Sequence, residues 1–140
     1  MNRETQMNEA IARRTGATFT HRVAIGHHEL IADEPEDLGG DDQGPTPQEL
    51  LAASIAACTA ITVEMYARRK AWEIDPVEVR CVYATAERGE PTVFDILVRL
   101  PSTCSDEQVE RLGEIAARCP VHRTLEGEIA FRERVERRSP

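Results

Sequence analysis

Thr46-Pro47-Gln48-Glu49-Leu50-Leu51-Ala52-Ala53-Ser54-Ile55-Ala56-Ala57-Cys58-Thr59-Ala60-Ile61-Thr62-Val63 is the stretch on which the fold turns. Its first four residues spell a capping box: Thr46 as N-cap, Pro47 at the first helical position, and Glu49 reaching back to the N-cap backbone. The pattern predicts a helix from 46 to about Lys70. Residues 50–63 carry no charge and are apolar on every side of that helix, which marks a helix buried all round rather than an amphipathic one. At fourteen residues the run is shorter than the ~20 needed to cross a bilayer. In a chain of 140 residues, one way to bury such a helix is between two subunits. Its second half gains Glu64, Arg68, Arg69 and Lys70 and is expected to emerge into water.

Upstream, residues 17–25 alternate as a strand, with Phe19, His21, Val23 and Ile25 on one face and Thr18, Thr20 and Arg22 on the other. Gly26 opens a turn into a second short strand, His28–Ala32, which completes a hairpin. Residues 33–45 hold six acids, no base and three glycines, and read as a loop. Downstream, strands are expected at Val77–Glu87 and Thr92–Leu100. Ser105-Asp106-Glu107-Gln108 is a second capping box and opens a helix to about Arg118. Pro120 starts another short helix, and Glu128–Val135 reads as a last strand with Ile129 and Phe131 inward. The order β-β-α-β-β-α-(α)-β is α+β, without the regular alternation of a doubly wound sheet. Residues 1–16 form a polar N-terminal extension, and 17–140 a single domain.

Composition narrows the function classes. The chain is 41% hydrophobic and 30% charged, with a net charge of −8, which argues against a nucleic-acid backbone or an anionic membrane as partner. Only six residues are aromatic, so the core relies on aliphatic and small side chains, and self-association would help it. The first sixteen residues contain no apolar run of the kind a secretory signal needs. A soluble, cytoplasmic protein is expected.

Four cysteines stand at 58, 81, 104 and 119, with no Cys-x-x-Cys pair. That spacing does not suggest a structural zinc site, and no metal or cofactor is expected. A reducing compartment also disfavours a structural disulfide framework. Cys81 falls on the face of Val77, Val79 and Tyr83 and reads as a small buried hydrophobe. Cys104 precedes the N-cap of the second helix, with no evident partner. Periodicity alone makes Cys58 a core residue of the long helix. Cys119 differs: Cys119-Pro120-Val121-His122-Arg123 sets a thiol beside a helix N-terminus, where unpaired backbone N–H groups favour a thiolate.

The segments Ala32-Asp33-Glu34-Pro35, Leu38-Gly39-Gly40-Asp41, Gly44–Thr59 and Cys119-Pro120-Val121-His122-Arg123-Thr124-Leu125 together resemble the OsmC/Ohr family. The likeness is to its general OsmC-like branch rather than to the organic hydroperoxide reductases proper. Two independent cysteine-centred motifs agree in order and spacing, 61 residues apart. The resemblance implies an OsmC-like fold with a long buried central helix in an intertwined two-fold homodimer. It further implies thiol peroxidase chemistry of the antioxidant, oxidative-stress kind. In that chemistry Cys58 attacks the peroxide and becomes a sulfenic acid, and Cys119 resolves it as a disulfide. The partners implied are a small hydroperoxide and a dithiol reductant such as a lipoyl or thioredoxin-like protein.

One position departs from the family pattern. The peroxidase branch carries Glu directly after the helix proline, holding an Arg against the reactive thiol; here that position is Gln48. Glu49 lies one residue later, about 100° around the helix. Arg22 is the nearest candidate for the Arg, and His122 and Arg123 are further candidates for stabilising a thiolate. Leu51, Ile55 and Met65 are expected to line an apolar substrate pocket. The expected activity is therefore weak. The alternative is a non-enzymatic redox-sensing or small-molecule-binding dimer, which Gln48 favours. In a further alternative, both thiols are inert core residues of a partner-binding dimer.

Overall fold

The computed structural model describes residues 7–139. The elements are β1 (Ile11–Arg14), β2 (His21–Ile25), β3 (His28–Ala32), a 3-10 turn (Glu36–Leu38), α1 (Pro47–Arg69), β4 (Glu78–Val82), β5 (Asp95–Arg99), α2 (Asp106–Ala116) and α3 (Pro120–Glu126). The chain is α+β, with two small antiparallel sheets. It divides into two compact units, one reaching Leu51 and the other starting at Ala52, so the boundary falls within α1.

In the first unit the sheet order is β1-β2-β3. The expected hairpin forms with Ile25 opposite His28, and Gly26 takes φ 61°, a left-handed value that glycine reaches at little cost. β1 falls in the stretch that the sequence marks as a polar extension, yet its residues pair with β2 from Ile11–Ala24 to Arg14–His21. All four are exposed, so hydrophobic patterning gave no signal for this strand. Residues 1–6 of that extension lie outside the described residues.

The acidic loop after β3 is organised by one of its own acids. Asp33 is buried; its carboxylate accepts the Thr20 hydroxyl at 2.7 Å and the backbone N–H groups of Glu34 at 2.7 Å and Gln43 at 3.2 Å. Burial pushes this carboxyl up, but the hydrogen bonds win and hold it below the usual range. The glycine at 40 follows from the same fold: a Cβ there would meet the Glu34 carbonyl oxygen at 2.0 Å.

Both capping boxes form. Thr46 Oγ1 accepts the Glu49 N–H at 3.1 Å and Glu49 Oε1 accepts the Thr46 N–H at 2.9 Å. Ser105 and Gln108 repeat the exchange at α2, at 3.1 and 2.9 Å. In the second unit, the core gathers Val63, Tyr66 and Ala67 of α1, Ile74, and Leu112 and Ile115 of α2, with Trp72, Val77, Leu100 and Cys104 packed against it.

Within the single chain, Ile55, Thr59, Val63, Tyr66 and Ala67 of α1 are buried, and Ser54, Ala57, Ile61 and Met65 form an exposed stripe. One expectation is corrected: the strand at 128–135 does not form. Those residues carry no ladder, and Phe131 and Val135 are 83% and 100% exposed. Their period-two pattern lacks a strand to pair with in the single chain.

Candidate functional site

The site is built where the middle of α1 meets the start of α3. Pro120 cannot donate a backbone hydrogen bond and has a fixed φ, so it opens α3 directly after Cys119. Cys119 is the N-cap, wholly buried, and its Sγ accepts the His122 N–H at 3.3 Å. Cys58, three turns into α1, is half-buried. Its sulfur accepts the Val121 N–H and the Thr62 hydroxyl, and its thiol hydrogen-bonds with that of Cys119. Both cysteines are free thiols. Two consecutive N–H groups of α3 thus hold the two sulfurs, Val121 for Cys58 and His122 for Cys119.

Burial pushes the Cys58 thiol up, and the neighbouring Cys119 adds to the rise. The Val121 N–H and the Thr62 hydroxyl oppose it, and the balance stays above the ordinary thiol value. Such a thiol is mostly protonated at neutral pH, and only its thiolate fraction is nucleophilic. Thr62 was visible in the sequence only as a residue near the Cys58 face. The signal that it touches the sulfur is the i, i+4 spacing of neighbours on a helix.

The other anticipated residues fall as follows. Arg22 lies on β2 in the first unit, where it pairs with Glu29 at 3.2 Å, both about half-exposed. Glu49 is engaged in the α1 capping box, and Gln48 sits beside it in the first helical turn. His122 contributes its N–H to Cys119, while its ring pairs with Glu126, Nε2 to Oε1 at 2.5 Å. Arg123 is exposed on α3. Leu51 is half-buried at the end of the first unit.

A cavity of about 390 Å³ in the second unit is lined by Ile55, Thr92, Val93, Phe94, Ile96, His122, Leu125 and Glu126. Of the residues expected to line a pocket, Ile55 does so here; Met65 is 64% exposed on the helix surface. Cys81 lies on β4, its thiol pushed up by burial and by the Asp95 charge, which makes it a poor nucleophile. Cys104 packs against the core. Among the described residues no group of His, Cys, Asp and Glu could hold a metal ion.

Comparison with known proteins bears on this arrangement. The sequence model of the family described as OsmC-like protein matches residues 40–134. No curated protein matches the chain. Among solved structures, an OsmC-like protein from Mycoplasma pneumoniae is 18% identical, with a TM-score of 0.72, covering 88% of this chain and 89% of that one. An organic hydroperoxide resistance protein from Legionella pneumophila is 19% identical, with a TM-score of 0.64, covering 88% and 91%. The organic hydroperoxide resistance protein OhrB of Bacillus subtilis is 21% identical, with a TM-score of 0.59, covering 87% and 92%. At these identities the structural likeness is one of fold. The family match spans more than half the chain, both cysteine motifs included, and the protein belongs to the OsmC-like family.

Proposed function

We propose that this protein is a cysteine-based peroxidase that reduces organic hydroperoxides slowly. The observation that carries the reading is the pair of reduced thiols in hydrogen-bonding contact, the more exposed one on α1 and the buried one at the start of α3. The Cys58 thiolate attacks the terminal peroxide oxygen, the O–O bond breaks, and Cys58 becomes a sulfenic acid as the alcohol leaves. The Cys119 sulfur then attacks Cys58 Sγ and water departs, leaving a disulfide. A dithiol protein of the lipoyl or thioredoxin-like kind restores both thiols. Names of the Legionella and Bacillus relatives support the substrate class.

Slowness follows from the raised Cys58 thiol and from Gln48. Gln supplies no charge to hold an Arg, and charge-assisted hydrogen bonds are roughly twice as strong as neutral ones. The test is consumption of cumene hydroperoxide with dihydrolipoamide or dithiothreitol. Wild type turns over slowly, Cys58→Ser is inactive, and Gln48→Glu is faster if an Arg is within reach of the Cys58 thiol. Turnover retained in Cys58→Ser refutes the assignment. The raised Cys58 thiol also favours a second reading, a redox sensor or small-molecule-binding dimer; it predicts Cys58 oxidation without sustained turnover.

We also assign the protein to a cytoplasmic homodimer. The exposed stripe Ser54, Ala57, Ile61 and Met65, and the unpaired segment 128–135 with Phe131 and Val135 in water, are the surfaces a second copy would cover.

A further inference from the structure

The cavity beside the thiols has mainly apolar walls, from Ile55, Val93, Phe94, Ile96 and Leu125. Neither thiol lines it, but two of its residues are near them. Ile55 lies one helical turn before Cys58, and His122 lends its N–H to Cys119. Two titratable side chains line it, His122 and Glu126, and they face each other with Nε2 2.5 Å from Oε1. The contribution of α1 to the wall is Ile55, which is apolar. On the strand side, Asp95 is not a lining residue, and its charge acts on Cys81 of β4. On α3, Arg123 is exposed between His122 and Glu126 in sequence.

The geometry points to His122, which lines this cavity, as the proton donor to the leaving alkoxide, held by Glu126. The assignment rests on the peroxidase reading above and adds a catalytic residue to it. Cys58 S⁻ attacks the terminal oxygen of R–O–O–H; the S–O bond forms as the O–O bond breaks. Cys58 keeps the OH, and the electron pair departs on RO⁻. The imidazolium of His122 gives RO⁻ its Nδ1 proton while Nε2 stays on Glu126, so the product leaves as neutral ROH. A tertiary alkoxide is a very basic leaving group and needs this proton, whereas a carboxylate leaving group does not.

The test compares oxidation of Cys58 by tert-butyl hydroperoxide and by peracetic acid in the full chain. His122→Asn slows oxidation by tert-butyl hydroperoxide by about 100-fold, the lower end of general-acid effects, and leaves oxidation by peracetic acid nearly unchanged. Glu126→Gln gives a smaller loss with the same selectivity, and it carries the test if His122→Asn fails to fold. Equal losses with both oxidants, or no loss with either, overturn the assignment. The peroxidase reading stands separately as long as wild type consumes tert-butyl hydroperoxide and Cys58→Ser does not. If wild-type Cys58 resists tert-butyl hydroperoxide, both fail.

Discussion

At Cys58 the environment works against reactivity: burial and the adjacent Cys119 thiol disfavour the thiolate, while Val121 N–H and the Thr62 hydroxyl support it. Alkylation of Cys58 by iodoacetamide is therefore expected to keep accelerating as pH rises beyond about 8.5, where an ordinary thiol is already half ionised. Thr62→Val removes one donor and slows alkylation at pH 7, and Thr62→Ser restores it; equal rates in all three would show that the hydroxyl does not act on the sulfur. Asp33 shows the opposite balance. Its folded carboxyl titrates below the usual range, so the stability it adds is complete above the unfolded value of about 3.9. That contribution is lost as pH falls through the lower folded value. Urea titrations should show the gap between wild type and Asp33→Asn narrowing as pH is lowered below about 4, and a constant gap would contradict this.

Among the elements, the helix starts were the most legible, because capping chemistry is local. Thr46-Glu49 and Ser105-Gln108 place their own donors and acceptors without help from the rest of the chain. Ser105→Ala is expected to cost about 1 kcal/mol, read as a lower urea midpoint at unchanged slope. Among the described residues, buried Thr59 has a hydroxyl without a hydrogen-bond partner. Thr59→Val is isosteric and removes that group, so it should raise the midpoint by about 1 kcal/mol, whereas a fall would mean the hydroxyl is satisfied in solution. Strands were less legible. β4 and β5 appear within their expected spans but shorter, while β1 has an entirely exposed surface and so no alternation to read. At 128–135 the alternation of Ile129 and Phe131 is real, but a strand also needs a partner edge, which pattern alone cannot supply. The same limit applies to the site. Cys58 and Cys119 could be singled out by motif, but the Val121 and Thr62 donors, and the His122–Glu126 pair facing an apolar cavity, emerge only once α1 and α3 are set in place.

For the whole molecule, the exposed stripe on α1 and the unpaired segment 128–135 lead to one expectation: light scattering at micromolar concentration gives twice the 15.6 kDa chain mass. A value of one chain mass would leave Ile61, Met65, Phe131 and Val135 in water and contradict the homodimer. Cys58 and Cys119, two free thiols in hydrogen-bonding contact, are proposed as one redox unit that exchanges a sulfenate for a disulfide. Its most direct test is peptide mass spectrometry of the full chain after one equivalent of cumene hydroperoxide, without reduction. A Cys58–Cys119 disulfide is expected as the main product, replaced by a trapped Cys58 sulfenate in Cys119→Ser, with neither Cys81 nor Cys104 modified. A disulfide that uses Cys81 or Cys104, or unmodified Cys58 after exposure, would contradict it.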